Sequence, residues 1–136
     1  MTQPHRHVPD TSAPHDGIPA PIGPYRPWTT AHGLLFLSGQ TPLDPDTMQL
    51  VEGDIAAQTA QVLANLGAVL RAAGASWSDV VKTTVFLTDM ASFPEMNRAY
   101  AEVMGDARPA RTTVAVRGLP RGAHVEIELV ARAPGS

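Results

Sequence analysis

The stretch VVKTTVFLT at residues 80–88 constrains the fold more than any other part of the chain. β-Branched residues favour a strand, and successive side chains of a strand point to opposite faces of its sheet. Apolar and threonine side chains occupy both faces here, and TTVAV at residues 112–116 repeats the pattern. Such strands must be covered on both sides. The sequence therefore predicts a sheet with helices on one face and a further partner on the other, for which a second copy of the chain is the economical candidate.

Two helices are predicted to cover the first face. Apolar residues recur with the 3.6-residue period over residues 54–73, where Asp54 is placed to cap the helix and Gly74 to end it. Residues 92–95, SFPE, form a capping-box sequence with proline in the first turn, which predicts a second, shorter helix ending at Gly105.

The order of the predicted elements is strand, helix, strand, helix, strand, strand, and its first strand is the apolar stretch at residues 34–38. This order is typical of a two-layer α+β domain with both helices on one face of a four-strand sheet. The last two strands are separated by a short connection, which by itself favours a hairpin.

Length and composition fit one domain. The chain has 136 residues, enough to bury a single core. Residues 1–19 combine four prolines and three histidines with almost no apolar periodicity, which predicts a flexible tail before a single domain at residues 20–136. His5 and His7 lie in that tail without the further ligands that a metal site needs, so no metal is predicted.

Several classes of function are disfavoured by composition. The chain has no cysteine, which excludes thiol catalysis, disulfides and cysteine-ligated metals. A net charge of −3 and only 5% aromatic residues give no basic field for nucleic acid. No apolar run approaches the roughly 18 residues of a membrane span, and the N-terminus lacks a secretory signal, so a cytoplasmic location is expected.

The candidate functional residues concentrate in the stretch 108–132. Arg111 stands at the start of a strand-like run, while Glu126 and Glu128 share one face of the last predicted strand, opposite its apolar residues. On residue type alone these charges are more often solvated than functional. If neighbouring strands bring the guanidinium and a carboxylate together, the pair could bind a carboxylate substrate and transfer a proton.

Four further residues have two readings each. Tyr25 either caps an edge of the core or lines a pocket. Ser38 and Gly39 end a strand, where a glycine permits the close approach of a ligand to the backbone. Asn97 lies in the first turn of the second helix, where an amide is equally useful to a ligand or to the free backbone donors.

Six short motifs occur in one order along the chain: IGPY at 22–25, LSGQ at 37–40, AAGASWSDVVKTTVFLTDM at 72–90, NRAY at 97–100, PAR at 109–111 and LPRGAHVEIELVA at 119–131. None of the short motifs is specific alone. Together they resemble the Rid (YjgF-like) family from about residue 21 to residue 132.

This resemblance implies a chorismate-mutase-like α+β fold, in which a mixed sheet carries two helices on one face. It also implies a homotrimer with the sheets inside, the helices outside and ligand clefts at the subunit interfaces. The family topology inserts the final strand between the first two strands, in conflict with the hairpin that the short connection favours.

The resemblance further implies hydrolysis of carboxylate-bearing enamines and imines, such as 2-aminoacrylate and 2-iminopropionate, to a 2-keto acid and ammonia without a cofactor. Arg111 matches the arginine that binds the substrate carboxylate, Tyr25 the pocket tyrosine, and Glu126 the glutamate that holds or activates water. Ser38 and Gly39 match strand-end contacts, and Asn97 a polar residue of the cleft.

Two departures from the family pattern bear on specificity. Thr113 stands where many deaminating members have cysteine, and its backbone can still contact a ligand. The stretch Arg26–Trp28 follows the tyrosine where the family more often has small or amide side chains, and could reshape the entrance of the cleft. Two alternatives therefore remain: a relative that acts on a different pathway imine, and a non-enzymatic carboxylate-binding module.

The family alignment alone indicates that Glu126, rather than Glu128, is the glutamate that handles the water.

Overall fold

The computed structural model describes residues 17–135 and consists of a mixed five-stranded sheet with two helices. The strands and helices in chain order are β1 (Trp28–Ala31), β2 (Leu34–Gln40), α1 (Ile55–Ala72), β3 (Val80–Leu87), α2 (Phe93–Met104), β4 (Ala110–Ala115) and β5 (Val125–Arg132). Short 3-10 turns precede β3, α2 and β5.

Both predicted helices are present, although one of the predicted caps is wrong. The side chain of Asp54 accepts a hydrogen bond from the Ala57 amide at 2.9 Å and so begins α1 as expected. Ser92 makes no side-chain cap at the start of α2. Glu95, the other half of the expected capping box, instead accepts from the Ala56 amide at 3.3 Å. The carboxylate is used to join the first turns of the two helices.

The sheet has five strands rather than the four predicted. The additional strand β1 pairs antiparallel with β2 through a tight turn at His32 and Gly33, which have φ angles of 52° and 76°. A two-residue turn with both φ angles positive matches the twist of a hairpin. Strand β1 has only four residues, which are too few to show an alternating pattern. The turn glycine Gly33 was the one local sign of a hairpin here.

The strand order is β1-β2-β5-β3-β4, and only β3 and β4 are parallel. The hairpin suggested by the short connection is therefore wrong, and the topology implied by the family resemblance is confirmed. The connection between β4 and β5 passes the end of β3, where the Val116 amide donates to Leu87 O at 2.7 Å and the Thr88 amide donates to His124 O at 3.2 Å. The core-facing side of β5 is almost completely buried, at 2% exposure or less, which suits a central strand.

The two faces of the sheet differ as predicted. The helices cover one face, and the core lies between them and the sheet. The opposite face, called the open face below, carries the apolar side chains Phe36, Phe86, Val114 and Val130. Phe36 is 42% exposed and Val114 is 37% exposed, and no element of residues 17–135 lies over them.

The packed domain begins earlier than the predicted boundary at residue 20. Ile18 is 6% exposed and packs in the hydrophobic core. The rest of the predicted tail, including His5 and His7, lies outside the described residues. In the part of the chain that the structure describes, neither helix is long and apolar enough to cross a membrane.

Candidate functional site

The first group of predicted site residues, called the Glu126 group, consists of Tyr25, Gly39 and Glu126. Gly39 lies near the end of β2, next to Glu126 on β5. A Cβ atom built on Gly39 would come within 3.0 Å of Glu126 Cδ and still closer to its Oε2. Only a glycine therefore leaves room for the carboxyl group in this position. Gly39 and Tyr25 also line one small cavity with Pro27 and Thr41.

Glu126 has an environment that favours its protonated form. Burial raises the pKa of this carboxyl above its usual value, and the negative charge of Glu128 raises the pKa further. Glu126 is half-buried whereas Glu128 is exposed, although both lie on the open face. Burial thus distinguishes the two glutamates independently of any alignment, because it raises the pKa of Glu126.

Ser38 supports this group from behind. Its hydroxyl donates to Arg26 O at 2.6 Å, and its amide donates to Pro27 O at 3.0 Å. These bonds hold the backbone that follows Tyr25, whose side chain is 44% exposed. Ser38 does not line the cavity beside Gly39, and its contacts in the structure are these two backbone hydrogen bonds.

The second group, called the Arg111 group, consists of Arg111, Asn97 and Tyr100. Arg111 begins β4 and its guanidinium carbon lies 4.8 Å from the centroid of the Tyr100 ring and 5.5 Å from that of Phe93. Arg111 and Asn97 line a cavity of about 260 Å³ between α2 and β4. The remaining lining residues are Tyr100, Ala101, Met104, Ala107, Arg108 and Pro109.

The guanidinium of Arg111 is held without an acidic partner. Among residues 17–135 it has no carboxylate within ion-pair distance and no hydrogen-bond acceptor, and it lies against two aromatic rings. A half-buried guanidinium with free N–H donors is suited to bind an anion, and its planar shape matches a carboxylate.

Thr113 lies on the same strand and face as Arg111, two residues further on. Its hydroxyl oxygen is shielded from solvent and has no hydrogen-bond partner in the described residues. It does not line the cavity beside Arg111. The hydroxyl is therefore not open to a ligand in this chain, and the backbone remains the part of Thr113 that could contact one.

The two groups do not meet within one chain. Arg111 is paired with Thr83, which is fully buried under the helices, whereas Glu126 is paired with Phe86 on the open face. The two charged residues thus point to opposite faces of the sheet. Strand β3 also lies between β4 and β5, which places those two strands about 10 Å apart, and the two residues are three positions apart along β3. The idea that adjacent strands join the two charges is wrong for a single chain.

Sequence reasoning missed the aromatic residues beneath Arg111. Phe93 and Tyr100 are seven residues apart, so they lie on one side of α2, two turns from each other. The period indicated a packed helix face and nothing more. The chemical signal appears only when β4 is placed next to α2.

Comparisons with known proteins agree with this architecture. A family model described as Endoribonuclease L-PSP matches residues 16–133. A RutC family protein of Pyrococcus horikoshii is 49% identical over 116 residues, which cover 85% of this chain and 92% of the relative. The 2-iminobutanoate/2-iminopropanoate deaminase of Mus musculus is 44% identical over 113 residues, covering 83% of this chain and 84% of the relative. The crystal structure of the YjgF gene product of Escherichia coli matches with a TM-score of 0.83 at 38% identity, covering 91% of this chain and 98% of that one.

Proposed function

Because the chain belongs to the Endoribonuclease L-PSP family, which includes the YjgF and Rid proteins, we propose that it hydrolyses reactive enamines and imines of 2-keto acids. The substrates are of the 2-aminoacrylate and 2-iminopropionate type, and the products are a 2-keto acid and ammonia. The name of the mouse relative supports this reaction class. The observation that carries the proposal is the guanidinium of Arg111, which lines a cavity and donates no hydrogen bond to any of residues 17–135.

In this proposal Arg111 binds the substrate carboxylate and holds the imine carbon in place. Charge-assisted hydrogen bonds of this kind contribute about 1.5–3 kcal/mol each. The carboxylate of Glu126 takes a proton from water as the water oxygen attacks the imine carbon, and then returns the proton to the nitrogen. The hydroxyl proton of the resulting carbinolamine then passes to the nitrogen, the C–N bond breaks as the carbonyl forms, and ammonia leaves. The reaction balances with water alone, so the scheme needs no oxidant, reductant or cofactor.

The separation of the two groups makes a second copy of the chain part of the proposal. In a homotrimer whose subunits pack through their open faces, Arg111 of one protomer would reach past its edge strand β4 and complete the cleft that holds Glu126 and Tyr25 of another. The exposed apolar side chains of that face support such packing, since a contiguous apolar surface is costly to leave in water.

The direct test generates 2-aminoacrylate with a serine dehydratase and follows the rate of pyruvate formation. The wild-type protein should accelerate the reaction and Arg111→Ala should not. Arg71→Ala is the matched control, because Arg71 is exposed on α1 and lies in neither group. The absence of acceleration by the wild type, or its full retention in Arg111→Ala, contradicts the proposal.

A mixing experiment tests the shared cleft. Arg111→Ala and Glu126→Gln should each be inactive alone. When the two variants are unfolded together and refolded at equal amounts, about one quarter of the clefts in a random trimer combine an intact Arg111 with an intact Glu126. Recovery of activity near that fraction supports a cleft between protomers. No recovery, with trimers verified by light scattering, shows that each chain works alone.

A carboxylate-binding module without turnover is the second candidate, because Arg111 alone can bind a carboxylate. Binding of pyruvate in calorimetry, combined with no catalysis on any imine, would favour it.

Trp28 is 5% exposed and packs in the core, so of the unusual stretch after Tyr25 only Arg26 and Pro27 remain to alter specificity. Cleavage of RNA is not part of the proposal, since the net charge of −3 provides no basic surface for a phosphate backbone.

A further inference from the structure

The side chain of Tyr100 is fixed on both of its ends. Its ring lies beneath the guanidinium of Arg111, with 4.8 Å between the guanidinium carbon and the ring centroid. Its hydroxyl lies 2.7 Å from the hydroxyl of Thr83, and either group can donate. Tyr100 is 8% exposed and Thr83 is fully buried, so this hydrogen bond is protected from water.

The hydrogen bond links the ring to the strand next to Arg111. Thr83 on β3 is the register partner of Arg111 on β4, and its side chain points toward α2. Tyr100 therefore connects the helix and β3 at the same level of the sheet as Arg111. Phe93, at the start of α2, is the second ring near Arg111, with 5.5 Å between the guanidinium carbon and its ring centroid.

An aromatic support suits an arginine that must bind an anion. A cation–π contact restricts the guanidinium without using its N–H donors. A carboxylate in the same place would neutralise the charge and occupy the donors that a substrate needs. Among residues 17–135 no carboxylate forms an ion pair with Arg111, and the two rings lie against its guanidinium.

We propose that Tyr100, held by its hydrogen bond to Thr83, is a positioning residue that orients Arg111 for carboxylate binding. This inference rests on the role of Arg111 in the proposed function. Tyr100 acts through the arginine and contacts no reacting atom. Its loss should weaken carboxylate binding and raise KM, with a smaller change in kcat.

The test measures pyruvate binding by calorimetry and steady-state kinetics on the imine for Tyr100→Leu, Tyr100→Phe and Thr83→Val. Loss of the ring in Tyr100→Leu should raise both Kd and KM about 10-fold, as expected for a desolvated cation–π contact. Tyr100→Phe keeps the ring and should rescue most of the binding, and Thr83→Val should resemble it. Met96→Leu is the control, because Met96 is also buried on α2 and has no ring to place against Arg111.

A double-mutant cycle with Arg111→Ala separates positioning from general destabilisation. Once the guanidinium is gone, Tyr100→Leu should change Kd by less than about 2-fold. An unchanged Kd in Tyr100→Leu, or equal effects with and without Arg111, overturns the inference while the proposed function stands. Equal pyruvate binding by the wild type and Arg111→Ala overturns both. If Tyr100→Leu does not fold, Phe93→Leu removes the second ring and should raise Kd in the same direction, and an unchanged Kd there overturns the inference.

Discussion

The Glu126 group and the Arg111 group differ in both packing and charge. The first is close-packed, with a carboxyl group held against a glycine, and the second lines an open cavity with a cation supported by aromatic rings. The first contains no cation and the second no carboxylate. If both were on one face of adjacent strands, an ion pair would form, which lowers the pKa of a glutamate and occupies the arginine. Separation by the sheet prevents this ion pair within one chain.

The largest expected effect concerns the acid. Glu126→Gln keeps the shape of the side chain but cannot take a proton from water, so kcat should fall about 100- to 10,000-fold while pyruvate still binds. Glu128→Gln is the matched control, because Glu128 lies on the same face and is exposed. A similar loss in both variants, measured by stopped assays of pyruvate formation, would mean that burial does not distinguish the two glutamates.

The next effect concerns the open face, through which the subunits are proposed to pack. Val114→Glu places a charge among the apolar residues of that face, and burying an unpaired charge costs several kcal/mol. The variant should sediment as a monomer at micromolar concentration and lose at least about 10-fold in kcat/KM. Ala64→Glu, at an exposed position of α1, should retain both the assembly and the rate. A Val114→Glu protein that stays assembled and active would remove this face from the interface.

A smaller effect is expected from the contact between Gly39 and Glu126. Gly39→Ala adds a Cβ atom where the carboxyl group lies, so the carboxyl group must move. Misplacing a catalytic group by about 1 Å is expected to lower kcat roughly 10-fold or more. Gly118→Ala is the control, since a Cβ atom there would meet nothing within 4 Å. Equal rates for the two variants would show that the position of Glu126 tolerates a shift.

The smallest effect is on stability. The pKa of Glu126 is raised in the folded protein, first by burial and then by Glu128. The folded state therefore holds its proton more tightly, so this contribution is complete below the unfolded pKa of 4.5 and is lost as pH rises through the higher folded pKa. In urea unfolding, Glu126→Gln should gain stability relative to the wild type between pH 4.5 and the raised value, and Glu128→Gln should shift that window downward. No dependence of this difference on pH would contradict the assigned environment.

Local sequence patterns were sufficient for some parts of the fold and not for others. The periodic run after Asp54 correctly predicted α1, and the apolar alternation near Phe86 correctly predicted a second apolar face. The strand at Trp28 is too short to show a pattern, and the position of β5 depends on pairing between distant residues. Chain proximity favoured a hairpin, which the burial of β5 overrides.

The candidate site was predictable by residue type and not by arrangement. The alternation around Glu126 correctly placed it opposite the core-facing side chains of β5, but no local pattern reports that Arg111 faces the helices. The face to which Arg111 points follows from its pairing with Thr83 on the parallel strand β3, and this pairing is long-range. The rings of Phe93 and Tyr100 were recognisable only as a packed helix face.

The central position of β5 has a consequence for biosynthesis. The units β1-β2-α1 and β3-α2-β4 are made first, and β5 is the strand that joins β2 to β3. While residues 125–132 are still inside the ribosome, each unit exposes an unpaired strand edge, and such edges promote misassembly. The sheet can close only after those residues have left the ribosome, so folding of this domain should wait for β5 and depend on long-range contacts that slow it. A nascent chain arrested before β5 emerges should remain sensitive to protease throughout residues 17–124.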